Sequence, residues 1–305
     1  MSAVTAPSGA AAPPIAKKKR RSFGGWFKVL GWRHLVAWVA IVFAVTPVLW
    51  VLSAAFTKDP SISSGSLIPT NPTLANFQRL FNNPDQPYSN WYLNTMIVAT
   101  VAAVFTVLIA SGAAFAFSRY RFKGRKVGMM FLLLVQMFPA FLALTAIYII
   151  MVNIGDVFPP IGLDTLPGLI LVYLGGAMGV NAWLIKGFFD TIPIEIDESA
   201  RVDGATHGQV FWGIILPLAV PVLAVIGLIS FISSINEFII ASALIQTPAK
   251  KTLAVGLQGF IANQYSENWG PFAAGALLAA IPIVLLFIVL QKYIVGGLTA
   301  GSVKG

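Results

Sequence analysis

The most distinctive group of charged side chains in this sequence lies in an acidic segment, residues 190–217, that ends in a proline. Its one basic residue is Arg201, against five carboxylates: Asp190, Glu195, Asp197, Glu198 and Asp203. Acidic side chains are stabilised near the N-terminus of a helix, and glycine commonly follows the C-terminus. Because the acids precede Gly204, the pattern predicts a short helix over 194–203, a turn at 204–208 and a second helix.

The rest of the chain offers little for catalysis. It has no cysteine and only two histidines, His34 and His207, so a thiol nucleophile is excluded and a histidine metal site is not expected. No GxxxxGK[ST] phosphate loop and no HExxH pair occurs in the sequence. We therefore expect a chain that is not an enzyme and that holds no cofactor or metal of its own.

The composition predicts a membrane protein. Charged residues make up 10% of the chain and apolar residues 57%, with a mean hydropathy of +0.81, whereas soluble domains average about 25% charged. Six stretches of at least 21 residues carry no charge, and a helix needs about 20 apolar residues to span the bilayer. The six predicted spans, which give an all-α polytopic fold over 35–296, are 35–56, 95–117, 127–151, 165–185, 217–240 and 272–293.

The basic residues predict the orientation of these spans. Sixteen of the 20 Lys and Arg residues fall on the side of the membrane where the chain begins, and such residues mark the cytoplasmic side. Both termini are therefore predicted to be cytoplasmic. Residues 1–34 are expected to be a disordered, basic segment whose run at 17–21 contacts anionic lipid. That run alone would also suit nucleic acid, but the spans behind it favour the bilayer.

The acidic segment, placed on the cytoplasmic side by this arrangement, has little positive charge, which indicates that a protein partner covers it. Its small residues Ser199 and Ala200 would let that partner approach closely. The segment resembles the EAA loop of ABC-importer permeases, which reads Glu-Ala-Ala, three residues, Gly, nine residues and Ile-x-Leu-Pro. The matching positions in this chain are Glu198, Ser199, Ala200, Gly204, Ile214, Leu216 and Pro217, and Asp203 and Ala205 extend the match.

This resemblance implies a type I ABC-importer permease fold with a coupling loop at 186–217. In that family the short helix of the loop sits in a cleft of a cytoplasmic ATPase subunit, which holds ATP and Mg. Movement of the ATPase dimer then moves the permease. A bulky residue in place of Gly204 is expected to clash in the turn and to misplace this helix.

The stretch 118–126 resembles the basic turn after the second span of sugar-type permeases, and 235–238 resembles a motif of the fifth span. The stretches 252–256 and 269–270 and the C-terminal residues 297–305 resemble MalG-type permeases of maltose and maltodextrin importers. The resemblance implies four partners in a bacterial cytoplasmic membrane: a MalF-type second permease, a MalK-type ATPase dimer, an extracytoplasmic sugar-binding protein and a maltose- or maltodextrin-like sugar. It also implies that the cytoplasmic tail, with Thr299, Gly301 and Lys304, reaches the ATPase. A permease for trehalose or another oligosaccharide, and a membrane scaffold that transports nothing, stay open as alternatives.

Polar residues within the spans are candidates for the translocation path. Glu237 is the one charged residue in a predicted span, where a charge costs about 2.5–3.5 kcal/mol on insertion scales. It therefore faces either a wet path, together with Asn236, or a neighbouring helix to which it hydrogen-bonds, and the second interpretation is favoured. Gln136 in the third span allows the same two interpretations.

The outer loop, predicted over 246–270, is rich in amide and aromatic side chains, which can hydrogen-bond to sugars and stack on them. The family resemblance implies that this loop enters the cleft of the binding protein and helps to release the sugar, while a generic polar loop is the alternative. The candidate residues are Gln258, Asn263, Gln264, Tyr265, Asn268 and Trp269.

Overall fold

The computed structural model describes residues 24, 27–58, 60, 66–262 and 268–300. The chain divides into two compact units, 1–49 and 50–305. In the first unit a π-helical turn, Phe27–Gly31, leads into helix α1, Trp32–Phe56, which continues into the second unit. The predicted disordered segment 1–34 lies mostly outside the described residues, but its described part, 27–34, is helical.

Helices account for the regular structure of the described part of the second unit. The helices after α1 are α2 (Ala75–Asn82), α3 (Tyr88–Arg119), α4 (Arg125–Gln136), α5 (Leu144–Val157), α6 (Leu166–Leu174), α7 (Gly179–Phe189), α8 (Ile194–Val202), α9 (His207–Leu218), α10 (Val220–Asn236), α11 (Ile239–Leu244), α12 (Leu253–Ile261) and α13 (Trp269–Ala300). The all-α prediction is confirmed for these residues.

Four described helices are long and apolar enough to cross a membrane alone, namely α1, α3, α13 and the segment Ala140–Val157. Two bent pairs bring the number to as many as six: α6 with α7, bent by 55°, and α9 with α10, bent by 79°. The fourth and fifth predicted spans are therefore broken helices and not straight ones. The exact number of six spans stays a prediction.

The predicted third span, 127–151, is interrupted. Helix α4 ends at Gln136, and a 3₁₀ turn at Ala140–Ala143 precedes α5. Pro139 explains the break, because proline disfavours helical backbone in the residue before it and lacks an N–H for the helix. The C-terminal span is longer than predicted, since α13 reaches Ala300 and includes residues 297–300, which were assigned to the tail.

Helix α3 has a packed cluster at each end. At the end that bears Arg119, the core includes Phe115, Phe189, Ile215 and Ile226. At the end that bears Tyr88, the core joins α3 to α2, α12 and α13 through Leu80, Trp91, Leu253, Leu257 and Ala274. The predicted coupling loop 186–217, called the docking loop below, therefore begins and ends in the cluster near Arg119. The predicted outer loop 246–270 belongs to the cluster near Tyr88.

The predicted outer loop 246–270 is largely packed structure. It contains a 3₁₀ turn, Pro248–Lys250, and the buried helix α12. The Trp91 indole N–H donates to the carbonyl of Pro248 at 2.7 Å, and the N–H of Leu253 donates to Oγ1 of Thr95 at 2.7 Å. Gly256 lies so close to the Trp91 ring that a Cβ there would be 2.2 Å from it.

Asp164 ties the segment before α6 to the start of this region. Its Oδ1 accepts from the N–H groups of Gln246 and Thr247 at 2.9 and 3.0 Å, and its Oδ2 accepts from the Lys250 ammonium at 3.1 Å. Burial alone would raise the pKa of Asp164, but these hydrogen bonds and that of the Thr247 hydroxyl outweigh it and lower the pKa to about 2.

Candidate functional site

The predicted docking helix is α8, which ends at Val202 as the sequence pattern indicated. Gly204 follows with φ of +88°. Its N–H donates to the carbonyl of Arg201 at 3.1 Å, and the N–H of Ala205 donates back to Ala200 at 2.9 Å. This pair of bonds is the Schellman arrangement, which satisfies the last carbonyls of a helix.

Glycine is needed at 204 for its backbone conformation and not for space. A Cβ at Gly204 would have no atom within 4 Å, so the expected clash is wrong. A positive φ is strained for residues that carry a Cβ, and this strain is the physical reason for glycine at this position.

The second predicted helix begins at once. Thr206 and Gln209 form a capping box, in which each side chain hydrogen-bonds to the backbone of the other residue. Of the three matched positions further along α9, Ile214 and Leu216 are half-buried and Pro217 is exposed. Ile215 between them is fully buried, so it anchors the loop in the core.

The outward face of α8 combines acidic and apolar side chains. Glu198, Ser199 and Asp203 are exposed, while Ala200 and Ala205 are half-buried against the core. Val202 is 88% exposed, so it adds an apolar side chain to this acidic surface. The structure thus brings six of the matched residues together on α8 and its turn. Ile214, Leu216 and Pro217 lie further along the chain, on α9.

A buried ion pair holds the inner face of α8. Nε of Arg119, at the end of α3, lies 2.7 Å from Oδ2 of Asp197, and both side chains are at most 10% exposed. The same guanidinium donates through Nη2 to the carbonyl of Ile192 at 3.1 Å. Sequence analysis missed Arg119, because five basic residues cluster at 119–126 and nothing in the pattern separates one of them from the others.

A second contact lies beside the first. The hydroxyl of Ser118 donates to Oδ1 of Asp190 at 2.7 Å, and Lys186 pairs with Oδ2. Burial would raise the pKa of Asp190, but the hydrogen bonds from Lys186 and Ser118 and the charge of Arg125 hold it below its ordinary value. The end of α3 therefore holds the start of the docking loop at several points.

Glu237 occupies a break between helices. Helix α10 ends at Asn236, and Glu237 is extended, with ψ of 121°. Its carboxylate accepts from the N–H groups of Ile240 and Ala241 at 2.7 and 2.8 Å, which are first-turn donors of α11, and from the hydroxyl of Tyr173 at 2.7 Å. These bonds give Glu237 a structural task, as the favoured interpretation expected. A role in the translocation path stays a prediction.

Gln136 performs a similar task at the break between α6 and α7. Its amide N–H donates to the carbonyl of Gly176, and its carbonyl accepts from the N–H of Val180, both at 2.8 Å. Asn236 is exposed, as Gln136 is, but it differs from Gln136 and Glu237 because its amide donates to Ile232 of its own helix, at 3.0 Å, and not to a second helix. Asn236 is thus the candidate path residue whose side chain faces away from the packed chain.

The candidate sugar-release residues are only partly described. Gln258 on α12 and Asn268 are exposed, and Trp269 begins α13, half-buried. Asn268 borders a polar cleft of about 500 Å³ between α2 and the start of α13. Asn263, Gln264 and Tyr265 lie outside the described residues, as do Gly301 and Lys304 of the predicted tail, whereas Thr299 is in the last turn of α13.

No group of three or more His, Asp and Glu side chains suited to a metal ion occurs among the described residues.

Comparisons with known proteins assign the family. Residues 106–299 match the model of the binding-protein-dependent transport system inner membrane component family. The maltodextrin permease MdxG of Bacillus subtilis is 43% identical over 86% of this chain and 91% of its own length. The maltose/maltodextrin permease MalG of Vibrio parahaemolyticus is 39% identical over 89% and 95%. The galactooligosaccharide permease GanQ of Bacillus subtilis is also 39% identical, over 89% and 94%.

Solved structures agree with this assignment. A chain of a bacterial ABC transporter that imports the acidic polysaccharide alginate superimposes with a TM-score of 0.71 at 25% identity, over 90% of this chain and 99% of that one. A chain of such an alginate transporter in complex with its substrate-bound periplasmic protein gives 0.62 at 18% identity, which supports the fold alone. The chain therefore belongs to the binding-protein-dependent transport system inner membrane component family and is a multi-pass permease subunit of an ABC importer, not an enzyme.

Proposed function

We propose that this chain is the MalG-type permease of a maltodextrin importer. The observation that carries the substrate class is its 43% identity with MdxG over most of both chains. A MalF-type permease would complete the translocation path, a MalK-type ATPase dimer would bind ATP and Mg beneath it, and an extracytoplasmic binding protein would deliver the sugar. Both termini would face the cytoplasm.

Energy would enter this chain through α8 and its turn. The exposed Glu198, Ser199 and Val202 would form the surface that enters a cleft of the ATPase, on a helix of nine residues that is about 14 Å long at 1.5 Å per residue. The final residues after α13 would reach the ATPase as a second contact. On the opposite side, Gln258, Asn268 and Trp269 would face the binding protein.

Reconstitution of the complete importer in proteoliposomes tests this proposal. The expected result is that the maltodextrin-loaded binding protein stimulates ATP hydrolysis and drives uptake of radiolabelled maltodextrin. Trehalose and galactooligosaccharide, each offered with the same complex and its binding protein, serve as the comparison. A complex that hydrolyses ATP without taking up any of these sugars would contradict the proposal.

A galactooligosaccharide is the second candidate substrate, because GanQ is about as similar to this chain as the maltose permeases are. Uptake that responds to the galactooligosaccharide alone would keep the mechanism and replace the sugar.

A further inference from the structure

We propose that Arg119 is a positioning residue that fixes the docking helix α8 to the end of α3, so that the two move as one body when the ATPase moves. This inference rests on the proposed function, since it assumes that α8 receives the motion. It adds a route for that motion which the EAA pattern does not contain.

The contacts reach the docking loop at three points in sequence. Ser118 binds Asp190 near the start of the loop, the Arg119 guanidinium binds the carbonyl of Ile192, and the same guanidinium pairs with Asp197 inside α8. The three points lie within eight residues of each other, and two successive residues of α3 supply all three contacts. The end of α3 therefore contacts both α8 and the residues just before it.

The pair with Asp197 depends on Arg119 alone. Oδ1 of Asp197 and Nε of Arg119 are both buried and have no hydrogen bond of good geometry among the described residues, so the approach of Oδ2 to Nε at 2.7 Å holds the pair through charge. A buried carboxylate is strongly destabilised once its partner is removed. Asp197 therefore does not leave Arg119 without cost, and the contact persists while α8 is displaced.

The alternative route along the chain is poorly suited to carry motion. From α8 the chain passes through the turn at Gly204 and along α9, and then bends by 79° before it reaches α10. Helix α3, in contrast, packs directly against α6, α7 and α10, so a force delivered to its end reaches the centre of the fold.

The experiment uses the complete complex with three versions of this chain: Asp197→Asn, Arg119→Lys, and Asp156→Asn as the matched control. Asp156 is an exposed acid on α5, outside the docking helix. Three quantities are measured: the ATPase that co-purifies, ATP hydrolysis without binding protein, and sugar taken up per ATP hydrolysed.

The Asp197→Asn complex is expected to assemble and to keep its hydrolysis without binding protein, while sugar per ATP falls about tenfold, a factor typical of coupling between sites. Arg119→Lys, which keeps the charge, is expected to lose less, and Asp156→Asn to match the parent. Equal sugar per ATP in Asp197→Asn and the control would overturn the inference. So would loss of assembly in step with uptake, because the pair would then only hold the fold. Failure of the parent complex to transport any sugar would instead refute the proposed function.

A distance measurement tests the rigid connection directly. The chain has no cysteine, so Glu195→Cys and Lys123→Cys provide two unique spin-label sites in it, on α8 and just after α3, with the cysteines of the partners replaced. The distance is expected to stay the same between the ATP-free and ATP-bound complexes. With Asp197→Asn added, it is expected to change on ATP binding. A change of equal size in the parent would overturn the inference.

Discussion

Asp197 lies within the docking helix and Gly204 follows its C-terminus, and the two residues set the position of the helix in different ways. Gly204 provides a backbone conformation with φ of +88°, while Asp197 provides a buried charge that must stay paired. Sequence spacing alone predicted the turn at Gly204, because a glycine after a short helix is a local signal. The ion pair joins residues 78 positions apart, so no local pattern contains it.

Replacement of Gly204 is expected to act through strain. Gly204→Val forces a β-branched residue to positive φ, at a cost of roughly 1–2 kcal/mol or more, and uptake should fall severely while the protein still inserts. Gly204→Asn should be mild, because asparagine tolerates this conformation. Uptake in proteoliposomes and the amount of inserted chain are measured together.

Gly208→Ala is the matched control, since a Cβ at Gly208 also meets open space and its φ is not positive. Equal uptake by Gly204→Val and Gly208→Ala would refute the role of the turn.

Asp164 gives a prediction on pH. Its pKa is lowered from 3.8 to about 2, so its contribution to stability is complete above the ordinary pKa and is lost as the pH falls through about 2. Asp164→Asn should lower the free energy of unfolding by roughly 1 kcal/mol, because the bonds are partly screened by solvent. The difference between parent and variant should be constant from pH 8 to pH 5, when followed by thermal unfolding in detergent.

Asp156→Asn, at an exposed acid near the end of α5, is the control for Asp164→Asn. A difference that already shrinks between pH 8 and pH 6 would contradict the lowered pKa.

At the scale of helices, the spans that the sequence predicted best are those without a break. Charge-free runs located α1, α3 and α13 because length and apolarity are what the bilayer requires. The same runs said nothing about backbone continuity, so the bends at α6–α7 and α9–α10 were not predicted. The sequence shows Gln136 and Glu237 as polar residues within predicted spans. Their partners, such as Gly176 and Tyr173, are distant in sequence and are seen only in the fold.

The break after α10 leads to a prediction that separates charge from hydrogen bonding. Glu237→Gln keeps one acceptor oxygen, but its amide NH2 cannot accept from the second N–H of the first turn of α11, so the free energy of unfolding should fall by about 1 kcal/mol, while uptake should change little. Glu237→Ala leaves the N–H groups of Ile240 and Ala241 unpaired, which costs about 1–3 kcal/mol each, so the yield of folded protein should fall. Thermal unfolding and uptake are measured on both variants.

Ser233→Ala, at an exposed position on α10, which ends just before Glu237, is the control for the Glu237 variants. Loss of uptake in Glu237→Gln, with no further loss of stability, would mean that the charge itself serves transport.

At the scale of the whole molecule, the arrangement of charge predicts which ends of the helices face the cytoplasm. Introduced single cysteines test it, since the parent chain has none. A maleimide that does not cross the membrane should label Gln258→Cys in intact cells. It should label Lys123→Cys, at an exposed position just after α3, only after the cells are opened. The opposite pattern would invert the topology and remove α8 from the ATPase side.

The exposed apolar residues of the docking loop have a consequence for biogenesis. Val202 is 88% exposed and Trp212 is 60% exposed, so a subunit made without its partners leaves these apolar side chains uncovered. Such a surface invites capture by chaperones and proteases. The cell is therefore expected to accumulate this chain only in proportion to the subunits that cover it, which would make the docking loop a checkpoint for stoichiometry as well as a part of the transport cycle.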